Sequence, residues 1–136
     1  MSFASAMQVS LRVPTHEVFS GRVVKLFAVA ENGAFGMLPN HIDYVTSLVP
    51  SVLILSLDDG RELFFGIDEG VLVKKGHEVD IAVRRGVQGD DLDSLNDTVQ
   101  VSFVEVDEEE RVARSALSRL EAGIVRRFGE LRKPRL

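Results

Sequence analysis

The chain has 136 residues, of which 45% are hydrophobic and 27% are charged, and its formal net charge is −5. This composition predicts one folded domain with a short addition, and it excludes disorder over most of the chain. There is no cysteine, which excludes disulfides, thiol nucleophiles and cysteine-ligated metal sites. The negative charge argues against nucleic acid as a partner, and no apolar run approaches the ~20 residues that span a bilayer. We also expect no signal peptide in residues 1–7.

The first two thirds of the chain have the alternation of β-strands. In Met7–Val13, apolar residues occupy every second position, which is typical of a strand with one buried face. Turn signals such as Asp59-Gly60 separate the runs that follow. The further predicted strands are Arg22–Ala30, Tyr44–Leu48, Val52–Leu57, Glu62–Ile67, Val71–Val73 and Glu78–Arg84. Short strands with frequent turns predict an antiparallel two-sheet β-sandwich over residues 1–90.

The composition changes after residue 90. Residues 91–106 are predicted to be a linker, with a short extra strand at Thr98–Val106, because Val99, Val101 and Phe103 alternate with polar residues. No segment before residue 106 shows helical periodicity over ten residues. The linker is therefore not expected to contain a helix.

Residues 107–136 have a different period. The apolar residues of this segment are spaced three or four apart, which places them on one stripe of a helix. They are Ala113, Leu117, Leu120, Ile124, Phe128 and Leu131. The sequence thus predicts a single long amphipathic helix and tail after the sandwich, with a stripe that needs a partner surface.

No combination of residues predicts catalysis. His16, His41 and His77 are far apart and lack metal-ligand spacing, so surface or loop positions are favoured. Gly33-Ala34-Phe35-Gly36 is glycine-rich but does not introduce a helix, which favours a loop with positive φ at both glycines over a phosphate site. We expect no catalytic residue, no metal and no cofactor, and a protein that works by binding.

Three stretches together resemble a known family. They are Val18–Val23 (with Phe19-Ser20-Gly21), Gly33–His41, and Gly70–Val73 followed by Val79-Asp80-Ile81. In this order and spacing, the chain resembles the epsilon subunit of F-type ATP synthases over residues 7–93. The resemblance implies a β-sandwich, in agreement with the alternation pattern.

The resemblance also implies a role. Epsilon is a subunit of the rotating central stalk without an active site, bound to the gamma subunit and to the c ring, at the cytoplasmic face of the bacterial plasma membrane. It reaches the membrane only through these partners, and its C-terminal part can restrain ATP hydrolysis. By resemblance, the loop 31–41 is expected to form the interface with the c ring and gamma. The expected interface residues are Gly33, Ala34, Phe35, Gly36, Pro39 and His41.

The C-terminal part departs from the family pattern. Family members commonly have two C-terminal helices, whereas one is expected here, which resembles a divergent branch such as the alternative, sodium-type ATPases. The Ile/Leu-Asp-x-x-Arg-Ala motif of ATP-binding members is out of register at Val106–Val112, which argues against nucleotide binding. Residues 119–136 carry six basic and two acidic residues, so this arm could meet acidic surfaces of the alpha/beta catalytic head. The expected regulatory residues are Arg111, Arg119, Arg126 and Arg127.

Two other readings of the residues stay open at this point. One is a free-standing β-sandwich sensor of a small molecule such as a nucleotide, which would need polar groups converging in an apolar cavity. The other is an adaptor in an unrelated complex, in which the amphipathic helix occupies a groove of the partner.

Overall fold

The structure, a computed structural model, describes residues 4–105, 108–113, 115–117 and 120. Nine strands of the described part form the fold. They are β1 (Met7–Val13), β2 (His16–Ala30), β3 (Gly33–Met37), β4 (Tyr44–Leu48), β5 (Ser51–Leu57), β6 (Glu62–Ile67), β7 (Gly70–Lys75), β8 (Glu78–Val83) and β9 (Gly86–Gly89). The mainly β fold that the sequence predicts is confirmed, and the bounds of β1, β4 and β6 coincide with those predicted.

The strands form two layers that share β2. One layer runs β1-β8-β7-β4 and the other runs β2-β5-β6-β9, while the first half of β2 pairs with β1 and its second half pairs with β5 and β3. All pairings are antiparallel except β1 with β8, which is parallel. Two of the crossings between the layers, at Asp68-Glu69 and at Arg84-Arg85, hydrogen-bond to each other.

The core lies between the two layers. Alternate residues of the strands face inward, as the period of two requires. The fully buried members include Leu11, Leu26, Leu53, Phe65 and Ile81. Aromatic packing adds to this core, since the rings of Phe19 and Phe65 lie 5.8 Å apart. The sandwich thus has one continuous apolar interior, which makes it a stiff scaffold for its loops.

The segment after β9 is helical, which corrects the sequence-based prediction. Helix α1 (Leu92–Thr98) begins at the N-cap Asp91, whose carboxylate accepts a hydrogen bond from the backbone N–H of Ser94, and a π-helix (Val99–Glu105) follows. The predicted strand at Thr98–Val106 is therefore wrong, and so is the expectation that no helix precedes residue 106.

The physical reason for this error is a second spacing in the same residues. Leu95, Val99 and Phe103 are four apart and all three are buried, the first two against Gly66 and Gly89 of β6 and β9, whereas Val101 is exposed. The helix buries Leu95 here in place of Val101, which the alternating strand would have buried. The sequence of this segment fits both the alternating spacing of a strand and the four-residue spacing of a helix, and tertiary packing decides between them.

The predicted C-terminal helix lies only partly within the described residues. Residues 108–113, 115–117 and 120 are helical. The remainder of the predicted helix, including its start at Asp107 and the expected regulatory residues Arg119, Arg126 and Arg127, lies outside the described residues.

Candidate functional site

The segment predicted as an interface loop is mostly a β-hairpin. Strand β3 pairs with the second half of β2, from Leu26 opposite Met37 to Ala30 opposite Gly33. Gly33 has a φ of 126°, which favours glycine and makes the tight turn. Gly36 is extended and stands opposite Phe27 within the strand. The prediction of positive φ at both glycines is therefore right for Gly33 and wrong for Gly36.

The connection from β3 to β4, residues 38–43, is tied down by hydrogen bonds at several points. The backbone N–H of His41 donates to the carbonyl oxygen of Leu38 at 3.0 Å, which closes a turn. The side chain of Asn40 exchanges two hydrogen bonds with the backbone of Ala4, at 3.0 and 3.1 Å. Further along, the carboxylate of Asp43 accepts a hydrogen bond of 2.8 Å from the backbone N–H of Gly76. These hydrogen bonds fix the backbone of residues 38–43, so the side chains that this connection exposes are held in defined positions.

Three of the predicted interface residues support this surface from within. The ring of Tyr44 lies between the rings of Phe35, at 5.7 Å, and His41, at 5.5 Å, and both contacts are edge-on. Pro39 is buried, and Phe35 packs against the core. Phe35, Pro39 and His41 therefore hold the segment in place, whereas Gly33, Ala34 and Gly36 are exposed.

The structure divides the predicted interface into two parts. Ala30 pairs with Gly33 on one side and with Leu48 on the other, so the hairpin tip lies at the end of β4. Residues 38–43 lie at the start of β4, beside Lys74. Since β4 has five residues, the two parts are about 13 Å apart along the strand. One surface contains Gly33 and Ala34, and another contains residues 38–43.

Exposed apolar side chains mark the second surface, and the sequence interpretation missed them. The exposed fractions are 58% for Leu38, 77% for Ile42 and 67% for Val45. Val45 stands opposite Val73 in the β4–β7 ladder, and Val71 lies two residues along the same outer face. We call Val45, Val71 and Val73 the valine face. Its signal in the sequence is the alternation of these valines with the inward-facing Leu48 and Leu72.

The described part of the C-terminal arm presents its apolar stripe to solvent. Ala113, Leu117 and Leu120 are all exposed, so the sandwich does not cover them. Arg111 is also exposed, and its guanidinium lies 3.4 Å from the carboxylate of Glu108 one turn earlier. The stripe is therefore available to a partner.

The described residues offer little to a small ligand. They contain no group of His, Asp and Glu residues that could hold a metal ion. A groove of about 300 Å³ lies between α1 and the outer face of β2 and β5, but it is mainly apolar and its one charged lining residue is the anionic Asp93. Such a groove does not suit the phosphates of a nucleotide. No helix in the described part of the chain has the length and apolar character that crossing a membrane requires.

Comparison with known proteins decides among the readings. Residues 6–89 match the family model of the ATP synthase Delta/Epsilon chain β-sandwich domain. The chain is 36% identical over 113 residues to "ATP synthase epsilon chain 2" of Paraburkholderia xenovorans, which covers 82% of this chain and 81% of that protein. The chain belongs to the ATP synthase epsilon family.

Other relatives agree with this membership. The "ATP synthase epsilon chain" of Nitrosococcus oceani is 34% identical over 90 residues, 66% of this chain and 64% of that protein. Among solved structures, a chain of the Euglena gracilis mitochondrial ATP synthase OSCP/F1/c-ring assembly superimposes with a TM-score of 0.63 at 19% identity. That match covers 82% of this chain and 68% of the other, and it shows a shared fold.

Family membership confirms the main prediction from the sequence. As an ATP synthase epsilon chain, the protein is a non-catalytic subunit of a rotary ATP synthase, and the readings as a free-standing sensor or an unrelated adaptor are set aside.

Proposed function

We propose that this epsilon chain joins a gamma-type shaft to the c ring, at the cytoplasmic face of the bacterial plasma membrane, through two separate surfaces. The valine face, with Leu38 and Ile42 beside it, binds gamma. The β2–β3 hairpin, with Gly33 and Ala34 at its tip and Gly36 within β3, binds the c ring. In this role the chain transmits torque between shaft and ring while ATP is made or hydrolysed, and its stiffness matters more than any chemistry.

The observation that carries this proposal is a set of apolar side chains exposed on a rigid support. Val45 and Val73 are a directly opposed pair in the ladder, and Ile42 lies on a connection fixed by hydrogen bonds. Clustered apolar side chains on the surface of a folded domain are typical of protein-binding sites. Helices of a coiled coil can cover such a face with their own apolar residues.

The hairpin tip suits a different kind of contact. Gly33, Ala34 and Gly36 carry almost no side chain and are exposed, so another polypeptide backbone can approach closely. The tip projects from a ladder that Phe35 and Tyr44 brace from behind. A short, stiff projection of this kind fits the loops at the rim of a ring of helical hairpins.

The C-terminal arm supports a regulatory role that belongs to the same proposal. The stripe with Leu117 and Leu120 is uncovered, and the arm carries Arg111, Arg119, Arg126 and Arg127. Extended along gamma, these arginines would approach the alpha/beta catalytic head and restrain ATP hydrolysis. Deletion of residues 107–136 should then raise the ATP hydrolysis rate of the assembled enzyme, and an unchanged rate would contradict this part.

Co-purification of variants tests the two surfaces separately. Val45→Lys should abolish retention by gamma because it places a charge in an apolar contact, while leaving the circular dichroism spectrum unchanged. Ala34→Glu should retain gamma and lose the c ring. Gln100→Lys, on the exposed side of the π-helix, is the matched control and should retain both partners. Retention of gamma by the Val45 variant, or of the c ring by the Ala34 variant, would contradict the proposal.

A further inference from the structure

An ion pair with one fully buried partner lies where the chain crosses between the layers. The carboxylate of Asp68 is 0% exposed, and one of its oxygens accepts hydrogen bonds from Nη2 and Nε of Arg85, at 2.8 and 3.0 Å. Its other oxygen accepts a hydrogen bond of 2.7 Å from the backbone N–H of Glu69. A buried carboxylate needs such partners, so Asp68 holds the guanidinium of Arg85 in one position.

The same guanidinium reaches the π-helix. Its Nη1 donates to the carbonyl oxygen of Ser102 at 3.2 Å, and its Nη2 donates to that of Phe103 at 3.4 Å. The guanidinium carbon also lies 4.9 Å from the centre of the Phe103 ring, in a cation–π arrangement. The last carbonyl groups of a helix lack partners within the helix and attract positive charge. Arg85 therefore fastens the C-terminal end of the helical segment 92–105.

The first part of this segment packs against two glycines of the sandwich. A Cβ atom added to Gly89 would lie 2.6 Å from the side chain of Leu95, and one added to Gly66 would lie 3.2 Å from that of Val99. Leu95 and Val99 are buried where they meet these glycines, and Phe103 is buried beside Arg85. The segment thus packs against the backbone of Gly66 and Gly89 at one end and is held by hydrogen bonds from Arg85 at the other.

We propose that Arg85, held by the buried carboxylate of Asp68, is the positioning residue that fixes the helical segment 92–105 to the sandwich. This segment then belongs to the rigid body of the subunit, and any change in the position of the C-terminal arm begins after Glu105. The inference goes beyond the proposed docking and does not depend on it, because it concerns contacts within the chain.

Hydrogen exchange of the full chain, followed by mass spectrometry, tests the inference. Arg85→Ala should speed exchange over residues 92–105 by about tenfold or more, while peptides from β1 and β5 stay as protected as before. Arg61→Ala, which removes an arginine paired at the surface with Asp59, is the control and should change nothing in 92–105. Unchanged exchange over 92–105 in Arg85→Ala, or an equal rise throughout the chain, would overturn the proposal.

Further variants separate positioning from general destabilisation. Arg85→Lys keeps the charge but lacks the fork that reaches Asp68 and two carbonyl groups, so it should resemble Arg85→Ala; full protection would contradict the proposal. Asp68→Asn should also release the segment, and protection equal to that of the unaltered chain would count against it. Removing residues 106–136 should leave 92–105 protected. Loss of protection there would show that the arm, and not Arg85, holds the segment.

Discussion

The side-chain ammonium group of Lys74 donates a hydrogen bond to the backbone carbonyl oxygen of His41, 33 residues earlier in the chain. The same group also donates to the carbonyl oxygen of Gly76, and Lys74 is only 2% exposed. Lys74 thus joins the turn after β7 to the connection 38–43. This contact explains how the exposed Leu38 and Ile42 are carried on a fixed backbone.

Replacing Lys74 by methionine should destabilise the chain by roughly 2 kcal/mol, because hydrogen bonds from a buried charged donor to two backbone carbonyl groups are lost. Urea unfolding followed by circular dichroism measures this change. Lys75→Met, at the exposed neighbouring position, is the control and should stay within about 0.5 kcal/mol of the unaltered chain. Equal stability of the two variants would contradict the role given to Lys74.

The two glycines of the hairpin should respond differently to alanine. Gly33→Ala should cost about 1–3 kcal/mol, because a φ of 126° is strained for a residue with a Cβ atom. Gly36→Ala should be neutral or slightly stabilising, because its φ is not positive and a Cβ atom would find its nearest neighbours at 4.0 Å. Thermal unfolding of the pair checks the order, and a larger loss in Gly36→Ala would refute the hairpin geometry.

Gly70 is required for a steric reason. A Cβ atom at this position would lie 2.1 Å from the carbonyl oxygen of Ala82 and 2.8 Å from the Cα atom of Val83, so the β7–β8 ladder would have to open. Gly70→Ala should therefore cost more than about 3 kcal/mol or prevent folding. Gly76→Ala, with a φ of 61° and no atom within 4 Å, should cost only about 1 kcal/mol. Similar unfolding midpoints for the two variants would disprove the steric argument.

The turn between β5 and β6 should show a pH-dependent contribution to stability. Hydrogen bonds from the backbone N–H of Arg61, at 3.0 Å, and from its Nε, at 2.7 Å, lower the pKa of Asp59 below its ordinary value of 3.8. A lowered pKa means that the folded chain favours the ionised carboxylate. The stabilisation is therefore present above pH 3.8 and is lost as the pH falls through the folded-state pKa.

Comparison of the chain with Asp59→Asn checks this sign. The difference in melting temperature should be constant from neutral pH down to about pH 5 and should close as the pH falls below about 4. Asp58→Asn, at the adjacent turn position, serves as the control. A difference that widens on acidification would contradict the assigned cause.

Strand positions could be predicted from the sequence where one face of a strand is buried. In Met7–Val13 and Glu62–Ile67, the alternation reports the core directly, and the predicted bounds agree with the structure. Strand β3 could not be predicted in this way. Its residues include two glycines, and it exists because the long β2 supplies backbone partners for it.

The helical segment 92–105 shows a different limit. Val99 and Phe103 satisfy both an alternating and a four-residue spacing. The burial of Leu95 and the exposure of Val101 in the structure identify the four-residue spacing as the one that the fold uses. The surface that receives Leu95 is made by Gly66 and Gly89, which look like ordinary turn or bulge residues in the sequence. The contact of Asp68 with Arg85 is similarly hidden, since each lies in a separate crossing between the layers.

The interface at Gly33–His41 stays a prediction, and the roles of its residues in the fold could not be predicted from the sequence. Within the motif Gly33–His41, the side chains of Phe35, Pro39 and His41 make supporting contacts in the structure. The exposed residues Ile42 and Val45 lie just beyond the motif. In this chain, residues of the motif support the backbone of the surface, and the exposed residues beside the motif could be identified only from the fold.

Cross-linking from single cysteines tests the central claim most directly, and the chain suits it because it contains no cysteine of its own. A photoreactive maleimide on Val45→Cys should link to gamma in the assembled enzyme, the same group on Ala34→Cys should link to a c subunit, and Gln100→Cys should link to neither. Cross-links of Val45→Cys to the c ring alone, or of neither position to any rotor subunit, would contradict the account of two docking surfaces on one rigid sandwich.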